Sequence, residues 1–215
     1  MNNQNKKTLK DLHLTDRFLF DEAMEDLVIR ENILKVILGK EAEKEQSRSD
    51  FLRSVKLDLF AIEDEDNDVN EEILQEKEAG LVRRSRYKQA QLDRSLLVIG
   101  EDLISDLIDS YMISIMPFDL FGSQKFRYIC KMGCIDVPDL ILEDGSTRIF
   151  INTYGKNNED ETPEFIELMH YINETREEAA NKFQSPRVKD IHKRLERIRS
   201  NKEVEDRWMS HTQSK

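Results

Sequence analysis

The stretch Val55-Lys56-Leu57-Asp58-Leu59-Phe60-Ala61-Ile62 decides how the chain is read. Val55, Leu57 and Leu59 alternate with Lys56, Asp58 and Phe60, the period of two expected of a strand with one apolar face. Asp58 places a carboxylate in the middle of the other face. An acidic run, EDEDNDVNEE from Glu63 to Glu72, follows. We expect it to turn the chain so that VNEEIL, Val69 to Leu74, returns as the hairpin partner. Alternation would then put Glu72 and residue 74 on the face that carries Asp58.

Two carboxylates on adjacent strands suit a divalent metal. Phosphodiester hydrolysis needs a nucleophilic water and relief of the charge that builds on the phosphoryl group, and bound Mg²⁺ supplies both. Magnesium takes hard oxygen ligands, usually one or two carboxylates, with water and substrate phosphate completing its octahedron. A polar group at position 74 would orient the water or steady the phosphate. Leu74 can do neither. On spacing alone, an aspartate on one strand and a glutamate on the next also describe a solvated hairpin face.

Composition bounds the alternatives. The chain has 215 residues, enough for one domain with a sizeable core and a small helical appendage. Its net charge of −11 excludes a surface that embraces nucleic acid everywhere. A local basic face is still present in RRSRYK, Arg83 to Lys88, soon after the acidic run. No apolar run approaches the roughly 18 residues that span a bilayer. The opening MNNQNKKTLK lacks the apolar core of a signal peptide, so a cytoplasmic location is expected. Cys130 and Cys134 form no disulfide framework. With His13, His170, His192 and His211 scattered, the cysteine pair is also two ligands short of a structural zinc site.

Residues 1–10 read as a mobile tail. Helical periodicity follows from Leu14, with Thr15 or Asp16 as cap, and a second helix carries Ile33, Leu34, Ile37 and Leu38 to a stop at Gly39. Residues 40–49 read as a polar linker. After Gly80, LVRRSRYKQAQLDRSLLVI predicts a long helix, and GEDLISDLIDS a shorter one or a structured connection. YMISIMPF (Tyr111 to Phe118), KFRYIC and TRIFINT predict three more strands. PEFIELMHYI and the segment after Pro186 predict helices with proline at their starts. The order implies a mixed central sheet flanked by helices, an α/β (α+β) arrangement.

Over nearly its whole length, from LTDRFLF (Leu14 to Phe20) to EVEDRWM (Glu203 to Met209), the chain resembles the PD-(D/E)XK nuclease family transposases, which overlap the recombination-promoting nucleases. The blocks RRSRYKQAQLD, FDLFG and INTYGK carry the resemblance most specifically, supported by VKLDLFAI, GEDL and LEDGSTRIFINTYGK. It implies a restriction-endonuclease-like fold over residues 1–175 with a helical C-terminal extension over 176–215. It also implies Mg²⁺- or Mn²⁺-dependent DNA cleavage linked to recombination or mobile elements. The family's catalytic and metal-binding aspartate matches Asp58, and its glutamate matches Glu72. The third position of an E-x-Q pattern falls on Leu74, a departure. A β-bulge after Ile73 could turn Gln75 onto the catalytic face, Lys77 or Lys88 could reach in, or the third group is lost and the fold serves as a noncatalytic DNA- or protein-binding module.

On the basic helix, Arg83 shares a face with Arg86, and Arg84 with Lys88. Arg84 and Arg86, which match the family motif, are the candidate DNA contacts. Solvation is the expectation for Arg83 and Lys88, and packing for Tyr87. Asp16 reads as a cap rather than a ligand, while Asp119 and Asn152, at strand ends, fit function or turn chemistry. Phe18, Phe20, Met112, Met116 and Phe150 are expected in the core. The last helix, rich in alternating charge, reads as solvated, though it could dock a partner or a second copy of the chain.

Overall fold

The computed structural model describes residues 7–39, 48–59, 71–97, 107–175 and 182–213, with backbone only for 48–50 and 71–79. Residues 40–47 of the linker expected at 40–49, the acidic loop through residue 70 and most of GEDLISDLIDS lie outside the described residues, and residues 48–49 open a helix. The observed class is mixed α and β. A four-stranded sheet contains β1 (Val55–Leu59), β2 (Ser110–Met116), β3 (Arg127–Cys130) and β4 (Ser146–Asn152) in the order β1-β2-β4-β3. β1, β2 and β4 run parallel, and β3 is antiparallel to β4.

The helices are α1 (Arg17–Glu25), α2 (Leu27–Leu38), α3 (Arg48–Ser54), α4 (Glu71–Leu96), α5 (Pro163–Asn173), α6 (Pro186–Arg199) and α7 (Lys202–Gln213). Contacts divide the chain into a helical unit, residues 1–43 with 158–215, and a sheet unit, residues 44–157. This grouping differs from the expected division at residue 175, because the C-terminal helices pack with the N-terminal ones. Residues 8–11 are also built in rather than mobile. Thr8 donates from its N–H and hydroxyl to Asp11, and Leu9 is buried.

In the helical unit, α2 packs on α6 and α5, and its Ile29, Ile33, Leu34 and Ile37 are buried. Asp26 starts α2 by accepting from the N–H groups of Val28 and Ile29, and Gly39 ends it at φ 55°, in the left-handed region. Asp16 precedes α1, but its carboxylate accepts from His13 N–H instead of the helix's own donors. Thr162 and Ser185 cap α5 and α6, each with proline at the first helical position as expected. The expected single C-terminal helix is broken at Ser200. Asn201 then caps α7 through Glu203 N–H. α7 is not merely solvated, since Trp208 donates to the Lys7 carbonyl and packs against Phe18, ring centroids 5.1 Å apart.

The largest departure concerns VNEEIL. No hairpin is seen beside β1 among the described residues. The neighbour of β1 is the parallel strand β2, and residues 71–74 open the 26-residue helix α4. Composition explains this outcome. The glutamates, Gln75, Lys77 and Ala79 are strong helix formers, and Gly80 alone interrupts a run that continues through LVRRSRYKQAQL. The connection between parallel strands needs a crossover, and α4 supplies it.

Candidate functional site

Parallel pairing lays Asp58, Ser114, Phe150 and, across the antiparallel edge, Tyr128 in one row over the sheet. Partners opposite one another share a face, and α4 covers this one. Leu81 packs on Met116 and Phe150, with Tyr128 and Cys130 alongside. The rest of the α4 seam is unusually polar for a helix against a sheet. Its buried positions among the described side chains are Leu81, Ser85, Gln89 and Leu92.

Asp58 is 3% exposed, so its charge must be compensated. Arg84 Nη2 donates to Asp58 Oδ1 at 3.2 Å, and Lys88 Nζ pairs with the same oxygen. Arg84 is 40% and Lys88 17% exposed. One turn further along, Gln89 Nε2 donates to Ser110 Oγ at 2.5 Å, and that hydroxyl donates to Asp93 Oδ1 at 2.6 Å. Two buried oxygens of this seam, Ser114 Oγ and Gln89 Oε1, make no hydrogen bond. The seam therefore holds one carboxylate under two cations, beside a hydroxyl that is not needed for the fold's own bonding.

The helix's outer face is different. Arg83, Arg86 and Arg94 are exposed, and no ion pair involves them among the described residues. Tyr87, expected to pack, is instead 65% exposed between them. Lys88, expected to be solvated, closes on Asp58. Arg84, read as a DNA contact, shares that role, while Arg86 stands clear of it.

Glu72, the second expected metal ligand, lies on the α4 backbone, about 18 Å along the helix axis from Arg84 at 1.5 Å per residue. With no strand at 71–75, the bulge that would turn Gln75 toward Asp58 has no strand to interrupt. The side chains of Glu72, Leu74, Gln75 and Lys77 lie outside the described residues. No group of three His, Cys, Asp or Glu comes together among the described residues. A carboxylate oxygen held by both a lysine and an arginine does not fit a Mg²⁺ centre as arranged, since a divalent cation would meet two like charges on its own ligand.

Asp119 and Asn152 resolve as turn chemistry. Asp119 accepts from the N–H groups of Phe121 and Gln124 and from Tyr128 Oη. Burial pushes its carboxyl up, but these donors outweigh it and hold the pKa below the ordinary value. Burial, reinforced by Asp119, raises the Tyr128 phenol. Asn152 donates to the Lys125 carbonyl and accepts from Tyr154 N–H. Gly155 of INTYGK has a steric cause as well, because a Cβ there would collide with the Phe126 backbone. Asp16 belongs to the helical unit and braces the turn at His13.

Comparison with known proteins finds no matching family model, curated protein or solved structure. No helix among the described residues is long and apolar enough to cross a membrane.

Proposed function

We propose that this chain is a DNA-binding protein of the PD-(D/E)XK nuclease family transposase kind, contacting phosphates through α4, with its nuclease chemistry impaired. The observation that carries this reading is the split of α4 into two cationic faces. Arg84 and Lys88 lean over the buried carboxylate of Asp58, while Arg83, Arg86 and Arg94 project outward beside the exposed ring of Tyr87. Outward guanidinium groups match phosphate oxygens, and an exposed tyrosine offers a stacking surface for an unpaired base. The protein's overall charge of −11 confines such binding to this face.

A second reading, Mg²⁺- or Mn²⁺-dependent DNA cleavage, is favoured by one observation. Lys88 stands beside Asp58, and only by swinging off Oδ1 to free that oxygen for a metal would it take the place of the polar group that Leu74 lacks. Fluorescence anisotropy with a DNA duplex tests the first reading. Binding should weaken with salt, and Arg86→Ala should reduce the log–log salt slope by about 0.9, the contribution of one phosphate contact. Unchanged affinity and slope in a combined Arg83→Ala, Arg86→Ala and Arg94→Ala variant would remove α4 as the interface. Nicking of supercoiled plasmid in Mg²⁺ or Mn²⁺, lost in both Asp58→Ala and Lys88→Met, would establish the second reading.

A further inference from the structure

Tyr87 stands on the side of α4 opposite the buried seam. At 3.6 residues per turn, Ser85 and Gln89 each lie about 160° around the helix from it. Packing against the sheet cannot reach the ring there, and it is 65% exposed. Arg83 occupies the same column of the helix one turn before Tyr87, about 6 Å along the axis, and Arg94 follows it by about 10 Å. Ala90, between Tyr87 and Arg94, is too small to cover the ring.

The charge around that ring has one sign. Residues three and four positions apart are the ones a helix sets side by side, and none at those spacings from Arg83, Arg86 or Arg94 is acidic. From Gly80 to the end of α4 the one acid is Asp93, which is half-buried and accepts from Gln89 and Ser110 in the seam. The remaining acids of the helix, Glu71, Glu72, Glu76 and Glu78, all precede Gly80. In a chain with 44 acidic residues among 215, an exposed helix face with three arginines and no carboxylate selects a polyanion.

The ring selects among polyanions. In a duplex the faces of the bases are stacked on one another, so Tyr87 would meet only sugars and base edges. In an unpaired strand those faces are open, and an aromatic side chain takes any of the four bases on its own face. We propose that the outer face of α4 binds unpaired DNA in preference to duplex, one base stacked on Tyr87 and the flanking phosphates held by Arg83 and Arg94. This assignment rests on the DNA-binding reading of α4 and names its substrate. Arginine suits both parts of the contact, since its planar fork pairs with phosphate oxygens and packs beside a stacked ring.

Anisotropy of the full chain with two probes tests it: a fluorescein-labelled oligothymidylate and a labelled hairpin duplex with the same number of phosphates. The single strand should bind about tenfold more tightly, the scale of one stacked base. Tyr87→Ala should abolish that preference and Tyr87→Phe should keep it, with the thermal unfolding midpoint unmoved in both because the side chain is exposed. Arg83→Ala with Arg94→Ala should weaken both probes. Equal affinity of the native chain for the two probes, or a preference that survives Tyr87→Ala, overturns the proposal and leaves α4 as a duplex-binding helix. Binding of neither probe, or binding that ignores the paired arginine substitutions, overturns the underlying reading of α4 as well. Tighter binding of oligouridylate than of oligothymidylate overturns the assignment to DNA.

Discussion

Helices α4 and α6 both bury one stripe, and they bury different chemistry. The α6 stripe is Val188, Ile191 and Leu195, apolar and almost wholly buried against its neighbours in the helical unit. The α4 stripe places Ser85 and Gln89 between Leu81 and Leu92, and faces Asp58, Ser110 and Ser114 on the sheet. A helix needed only to cover a sheet gains most from aliphatic side chains, at about 25 cal/mol per Å² buried. A polar seam forgoes that gain. An aliphatic stripe in α6, ended by the buried Arg199, and a polar one in α4 distinguish a helix packed for stability from one whose seam keeps hydrogen-bonding groups.

Truncating α6 should therefore have the largest effect. Leu195→Ala leaves a cavity at a fully buried site and is expected to cost about 3 kcal/mol in urea denaturation. Affinity for DNA should be retained at concentrations where the variant is folded. A loss of binding in the folded variant would erase the distinction between the two helices.

Next is Asp58→Ala, which strands Lys88 and Arg84 over a buried pocket. Breaking one side of a buried pair costs roughly 3–5 kcal/mol. Because Arg84 can turn to solvent, about 2 kcal/mol is expected here. A change below about 0.5 kcal/mol would mean that the seam behaves like an exposed surface pair.

Acid should act on both units through carboxylates held by hydrogen-bond donors. Burial pushes the Asp26 carboxyl up, but Ile29 and Val28 N–H and the Arg194 guanidinium outweigh it, leaving its pKa lowered. Asp119 is lowered in the same sense within the sheet unit. Since the folded pKa lies below the unfolded value of about 3.9, each contributes stability fully above that value and loses it as pH falls through the folded pKa. Denaturation profiles should lose stability below about pH 4, and Asp26→Asn should flatten that loss. An unaltered acid limb in Asp26→Asn would show that its bonds do not persist in solution.

The smallest effect belongs to Ser114→Ala. Its hydroxyl is buried and makes no hydrogen bond, so removal should leave stability within about 0.5 kcal/mol of native, or raise it slightly. If the same substitution weakens DNA binding, the hydroxyl serves the site and not the fold. If it destabilises by more than about 1 kcal/mol, the seam is a structural network like any other.

Much of the fold was legible where a single rule spoke clearly. YMISIMPF reads as a buried strand and is one, and Pro163, Pro186 and Gly39 mark helix ends where chain stereochemistry requires them. Phe20, Met112, Met116 and Phe150 are core as expected, whereas Phe18 is only partly buried. VNEEIL was misread because a charged segment following a strand invites a hairpin, although its residue types favour a helix. The α3 helix overlaps the expected linker at residues 48 and 49, and no periodicity in its seven residues marked the rest. At the site, the sharing of one face by Arg84 and Lys88 follows from i,i+4 spacing, but their common target does not. Asp58 meets them only because β1 and β2 are parallel, which no local pattern reveals. Ser85, Ser110 and Ser114 escaped notice for a related reason. Small polar residues leave no hydrophobic period, and their importance arises only after α4 is laid on the sheet.

Arg199, buried at the end of α6, donates to the backbone carbonyl of Leu12, 187 positions away in the chain, and Arg207 pairs with Glu22 across 185 positions. Closing such long loops delays the contacts that reward it. At the roughly 5–20 residues per second of synthesis, α1 and α2 wait about ten seconds or more for the segment that buries them. The sheet unit, complete by residue 157, has its whole sequence available first. The apolar faces of Leu19, Ile33 and Ile37 are therefore the surfaces that a chaperone would meet on the nascent chain.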